Sequence, residues 1–215
     1  MGRAIRYGSR DRPCAWRAEV STATSGKNGE LKAVFTWLEL VQPPGHMPPA
    51  PLTGQLALMR VQQMPIAYYR FLLDQVGHDH YWVQRMRLSD VSIRAILDAP
   101  TTHISVLYLD GAPAGFFEID SKRDGVAHIV HFGLIDHAQG RNLSPWFLHA
   151  ALSAAWEEGT ERVTIGTTSL DHPAALRLYQ RFGFVVTERS HGTIRPLSAQ
   201  ERLETLNGTR PSTSL

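Results

Sequence analysis

Residues 128–156, HIVHFGLIDHAQGRNLSPWFLHAALSAAW, constrain the fold of this chain more than any other stretch. An apolar strand ends in a short polar loop, and the loop feeds a helix that is hydrophobic almost all round. The next apolar run, RVTIGTT (162–168), completes a strand–helix–strand unit. Such a unit places its two strands parallel in one sheet, with the helix on a face. Ahead of it the pattern is different. HISVLYL meets Asp110-Gly111, a hairpin signal because both central positions accept positive φ, and APAGFFEID returns. A second turn, SKRDG, leads into VAHIVHFGLI. An antiparallel meander joined to a parallel unit predicts a mixed α/β sheet with helices on its faces.

The remaining segments fit that frame. AVFTWLEL (33–40) and LALMRV (56–61) read as strands on either side of a Pro-rich connector. Pro65 opens the helix PIAYYRFLLDQVG, with Ile66, Tyr69, Leu72, Leu73 and Val76 on one stripe and Gly77 as its stop. LSDVSIRAIL reads as a short helix capped by Ser89 and burying Ile93, Ile96 and Leu97. AALRLYQRF is a helix stopped at Gly183, and FGFVVTERS is a closing strand. Residues 1–32 show no periodicity and read as an N-terminal extension, 33–192 as the folded domain, and 193–215 as a polar C-terminal tail.

Composition narrows the partners. At 215 residues the chain can bury one sizeable core. The net charge is +2, from 22 basic and 20 acidic residues, and the basic residues are scattered, so no nucleic-acid partner is expected. The single cysteine, Cys14, excludes an intramolecular disulfide and fits a reducing compartment. No apolar run is long enough to span a bilayer, and the first residues lack the apolar core of a secretory signal. Arg6 stands where a myristoylation signal needs Ser or Thr. No membrane association and a cytoplasmic location are expected; a homodimer is left open.

The loop between the strand and the hydrophobic helix carries the chemistry. A helix N-terminus presents N–H groups without intrahelical partners at the positive end of its dipole, which suits phosphate. Ser144 reads as the N-cap and Pro145 as the first residue of a helix running to about Glu158, with Gly159 ending it. Gln139, Gly140, Arg141 and Asn142 form the approach, and Arg141 can add a charge-assisted hydrogen bond. The same residues equally describe a plain capped helix.

HFGLIDHAQGRNLSPWFLHAAL, followed by LDHPAALRLYQRFGF, resembles the GNAT superfamily of N-acetyltransferases. The family's acetyl-CoA motif, Q/R-x-x-G-x-G/A, falls with Gln139 at its first position, Asn142 at its first glycine and Ser144 at its second. The second signature matches at His172-Pro173-Ala174 and from Leu178-Tyr179 to Gly183-Phe184. The resemblance covers about 55–190. It implies a mixed, mostly antiparallel sheet of six to seven strands flanked by about four helices. It also implies acetyl-CoA as acyl donor and a small-molecule or peptide amine as acceptor. The diphosphate would lie on Gln139, Gly140, Arg141, Asn142, Leu143 and Ser144. Amides near Phe132 would hold the thioester carbonyl, and those near Leu134 and Ile135 the pantetheine arm, in a slot where this strand parts from VTIGTT. His172 replaces a common Asn beside the cofactor. Asn tolerates left-handed backbone better than most residues, so Asn142 can keep the shape a glycine would give.

Direct attack of an amine on a thioester needs a base for the amine proton and an acid for the departing thiolate. The resemblance puts the acid at Tyr179; an aromatic packing on the core face of its helix is the alternative. It puts His128 where several members carry a basic Glu, and a histidine suits that task at neutral pH. Glu118 on the preceding strand is the rival, acting through water. Strict alternation sends His131 to the face opposite His128 unless a bulge intervenes, so no metal site is expected. Asp74, His78, Asp79, His80, Tyr81 and Trp82 gather acidic and aromatic groups suited to a cationic amine. A non-catalytic acyl-CoA-binding sensor on the same fold is the alternative function, favoured by the replaced glycines.

Overall fold

A computed structural model describes residues 29–51, 54–122, 125–156 and 159–208. Cys14 and most of the N-terminal extension lie outside the described residues, as does the end of the tail. In chain order the elements are β1 (Leu31–Leu40), β2 (Leu56–Arg60), α1 (Ile66–Gly77), α2 (Gln84–Arg87) and α3 (Asp90–Leu97), then the strands β3 (Thr102–Leu109), β4 (Ala112–Lys122) and β5 (Val126–Leu134). They continue as α4 (Leu143–Ala155), β6 (Arg162–Thr168), α5 (Ala175–Arg181), β7 (Val185–Ile194) and α6 (Ala199–Leu206). All seven strands form one sheet in the order β2-β3-β4-β5-β6-β1-β7. The β5–β6 pair is parallel and every other pair antiparallel, which is the mixed sheet that the meander and the crossover predict. Among the described residues there are six α-helices rather than about four, and no helix is long and apolar enough to cross a membrane.

Each face of the sheet has its own core. On one, Phe117, Ile119, Ile129, Val163 and Ile165 pack against Phe147, Leu148, Ala151 and Leu152 of α4. That packing explains why α4 is apolar on so many sides. On the other, Ile104, Val106 and Phe116 pack against Tyr69, Leu72 and Leu73 of α1 and Ile93 of α3. Fully burying one such Phe or Leu contributes about 1.5–3 kcal/mol, so both helices are anchored firmly enough to serve as walls of a site.

β1 lies inside the sheet, between β6 and β7. Its residues are buried on both faces over Phe35–Leu38, as a central strand requires. The connector must then carry the chain to β2 at the opposite edge, and it runs past α4, where His149 Nε2 donates to Gly45 O at 2.9 Å. The Asp110-Gly111 hairpin forms with φ of 51° and 83°, the positive pair that its turn demands.

Gly77 ends α1 as expected, with a φ of −110°. Space is what it provides: a Cβ there would lie 2.6 Å from Trp82 side-chain atoms. Two other expectations change. Helix α4 begins at Leu143 behind Asn142, not at Pro145 behind Ser144, and it stops at Ala155. Pro145 is tolerated because it still lies in the first turn. The stretch from 193, read as a polar tail, supplies the end of β7 and all of α6. Ser198 and Glu201 form a capping box there, and Arg202 holds Asp74 of α1 through Nε at 2.5 Å and Nη2 at 2.7 Å.

Candidate active site between the parted strands

The parallel pairing of β5 with β6 runs only from Val126↔Arg162 to Ile129↔Ile165. Beyond it the strands separate. On its other edge β6 keeps its pairing with β1 through Gly166↔Trp37 to Thr168↔Phe35, while β5 stays on β4. One edge of β5 therefore faces a cleft of about 700 Å³. Phe132 and Leu134 line it on the β5 side, and Tyr179 of α5 lines it on the other. Phe132 is braced from below by Phe147, with ring centroids 5.1 Å apart.

A β-bulge sets the chemistry of the β5 wall. Glu118 faces His131 but Ile119 faces Ile129, so Val130 is the extra residue. Strict alternation fails here: the bulge turns His131 onto the face that carries Glu118. His131 Nδ1 lies 2.8 Å from Glu118 Oε2. The carboxylate is buried and also accepts from Tyr69 Oη at 2.5 Å and Arg85 Nη2 at 3.3 Å. Burial alone would raise its pKa. The hydrogen bond and charge of His131, the charge of Arg85 and the Tyr69 hydrogen bond together hold it at about 2. Glu118 is thus an ionised acceptor at neutral pH, and the proton between the two residues resides on His131 Nδ1. With Nδ1 engaged by Glu118, Nε2 is the ring nitrogen left for other partners, and the residue lines the cleft.

His128 is placed differently. It is buried, with Nδ1 2.9 Å from Thr164 Oγ1, and does not line the cleft. Glu118 lies behind His131 and also does not line it. No group of three or more His, Cys, Asp or Glu able to hold a metal occurs among the described residues.

On the opposite wall, Tyr179 is buried edge-on against Phe132 and Phe184. Burial, and then the charge of Asp171, push its phenol pKa well above the ordinary 10, so the hydroxyl keeps its proton. Asp171 sits in the loop after β6 and accepts from Thr167 Oγ1, Thr168 N and Trp82 Nε1. The last bond ties this loop to the segment after α1. Trp82 also lies over His131, with ring centroids 5.0 Å apart. Asp171, Arg85, Arg177 and Arg181 line the cleft, and none was a sequence candidate. An Asp in SLDHP has the signature of a turn former, so nothing local marks it out.

The mouth of α4 fits a diphosphate in backbone shape. Gly140 and Asn142 have φ of 70° and 58°, the left-handed geometry that lets successive N–H groups converge. Asn142 makes no side-chain cap, so the first-turn N–H groups remain directed at the loop. Gln139, Gly140, Asn142 and Ser144 line the cleft. The Gln139 side chain is engaged, donating to Leu134 O at 3.2 Å and Asp136 Oδ1 at 3.1 Å. His172 lines the cleft, and its Nδ1 accepts from Ala174 N, which leaves Nε2–H as a donor. Three expected residues do not line the cleft: the Ile135 amide donates to Ala114 O at 2.9 Å, the Leu143 side chain is buried in the core around α4 although its N–H belongs to the first turn, and Arg141 is exposed with Nε donating to His137 O.

The acetyltransferase (GNAT) family profile matches residues 61–184, more than half of the chain. A search of curated proteins finds no match. Among solved structures, the chain is similar to the GCN5-related N-acetyltransferase from Kribbella flavida, with a TM-score of 0.50 and 17% identity over 79% of this chain and 61% of that one. It is also similar to a functionally unknown conserved protein from Staphylococcus epidermidis ATCC 12228, with a TM-score of 0.50 and 14% identity over 79% and 64%. A GCN5-related N-acetyltransferase from Sphaerobacter thermophilus has a TM-score of 0.49 and 17% identity over 77% and 52%. The chain thus spans between 52% and 64% of the length of these neighbours, and at these identities the likeness concerns the fold. With strand order, the parted strands and the profile in agreement, the chain belongs to the acetyltransferase (GNAT) family.

Proposed function

We propose that the protein transfers an acetyl group from acetyl-CoA to a primary amine. In this reading His131 is the base, Glu118 is its positioning residue and Tyr179 is the acid. One observation carries it: a Glu118-oriented histidine and a protonated phenol line opposite walls of the cleft opened by the parted strands. His131 takes the role in place of His128 because it lines the cleft, whereas His128 is buried against Thr164. Acetyl-CoA, a substrate here, supplies the thioester. Its diphosphate suits the α4 mouth, and Arg177 and Arg181, exposed on α5, suit its anionic end.

An alkylamine with pKa near 10.4 costs about 4 kcal/mol to deprotonate at neutral pH. One ammonium proton leaves to solvent before attack, and His131 Nε2 takes a second N–H proton from the attacking nitrogen as the nitrogen–carbon bond forms. The carbon–sulfur bond breaks, and Tyr179 Oη gives its proton to sulfur. One proton returned from His131 to Tyr179 through water resets both. Thiol release with an amine panel tests the reading. His131→Ala is expected to lower kcat by about 10²–10⁴-fold, while His128→Ala, which removes no cleft group, leaves the pH–rate profile in shape. Binding of acetyl-CoA without transfer to any amine returns the protein to a non-catalytic binding role.

A further inference from the structure

The acids expected on the acceptor side do not reach the cleft. Asp74 is paired with Arg202, and Asp79 is exposed beside His78. The carboxylate that does line it is Asp171. Its Oδ2 accepts from Thr167 Oγ1 at 2.8 Å and Thr168 N at 2.7 Å, and its Oδ1 from Trp82 Nε1 at 3.1 Å. All three donors are neutral. They fix the group without cancelling its charge, and no cation is paired with it among the described residues. Each carboxylate oxygen can accept two hydrogen bonds, so Oδ1 has room for one more.

The other charges along the cleft have separate places. Arg85 lies against Glu118 at 3.3 Å, and Arg177 and Arg181 lie one turn apart on α5. The Trp82 indole stands between the two key groups, over His131 on one side and bonded to Asp171 on the other. A cation at Asp171 thus meets a carboxylate whose charge no neighbouring donor cancels, and a charge-assisted hydrogen bond there favours ammonium or guanidinium. An amine presented to His131 sits one indole away.

We infer that Asp171 binds the acceptor, and that the acceptor is a small amine carrying a second cationic group a few bonds from the reacting nitrogen. This rests on the acetyl-transfer reading above. The test compares putrescine with pentylamine, in which a methyl group replaces the second ammonium. The intact protein is expected to favour putrescine by about tenfold or more in kcat/KM, expressed in KM, and Asp171→Asn to bring the ratio within about twofold of one. Calorimetric binding of the two amines with coenzyme A present should show the same pair of ratios. A purely structural Asp171 predicts equal losses for both amines, leaving the ratio intact, and that result overturns the inference. So does a ratio near one in the intact protein, which needs no variant. No transfer to either amine overturns the acetyl-transfer reading along with it, whereas transfer without discrimination overturns this inference alone.

Discussion

Replacing Glu118 with Gln isolates the charge behind the histidine. The side chain is 1% exposed and is touched by three donors, from His131, Tyr69 and Arg85. Its pKa falls from the usual 4.5 to about 2, which corresponds to roughly 3 kcal/mol of stabilisation of the ionised form. The folded value lies below the unfolded one, so this stability is fully present above about pH 5 and is lost as the pH falls toward 2. Glu118→Gln keeps the shape but turns an N–H₂ toward one of the donors and removes the negative charge that Arg85 and His131 face. The expected loss at neutral pH is about 2–4 kcal/mol, or a melting temperature lower by about 5–15 °C for a chain this size. Urea titrations of both proteins at several pH values read the difference directly. The gap should close as the pH drops from about 5 to about 2, because protonation removes the charge that the substitution removes. Parallel stability curves across that window would refute the claim that the buried group is an anion held by its donors.

Two further outcomes follow from the walls of the cleft. Tyr179→Phe keeps the contacts with Phe132 and Phe184 and removes only the hydroxyl; kcat should fall by about 10–10²-fold while the calorimetric affinity for acetyl-CoA stays within about twofold. Asn142→Val puts a β-branched residue at a φ of 58°, a strain of about 1–2 kcal/mol. Acetyl-CoA affinity measured by calorimetry should drop about tenfold, and Asn142→Gly should retain it.

Local signals led to the elements that local chemistry determines. The Asp110-Gly111 turn, the Ser89 cap, which accepts from Ser92 N, and the apolar faces of α1 and α4 all read directly from spacing. Helix α6 was also marked, by the Ser198-to-Glu201 capping-box spacing. Its polar composition hid this, because its attachment depends on Arg202 reaching Asp74 from 128 residues away. The left-handed backbone at Asn142 was legible from residue type, although its side chain does not cap the helix. The position of β1 between β6 and β7 was not legible, since periodicity says that a strand exists but not which neighbours it takes. Asp171 was equally opaque: its place on the cleft wall depends on Trp82, distant in sequence and brought beside it only by the sheet.

The bulge at Val130 explains why His131 and not His128 reaches the cleft wall. Counted by strict alternation from His128, Val130 would occupy the face of Glu118, and His131 would point into the apolar core around α4. An imidazole there would lose its carboxylate partner, and burying it unpaired costs about 1–3 kcal/mol. The inserted residue shifts the register by one, which exchanges the faces of all that follow. It falls just past Ile129, where pairing to β6 ends. One irregularity therefore marks both the opening of the cleft and the arrival of a carboxylate-bound histidine at its wall. A sequence shows the histidines but not the slip, so on strands leading into a parting of this kind both candidate faces have to be weighed.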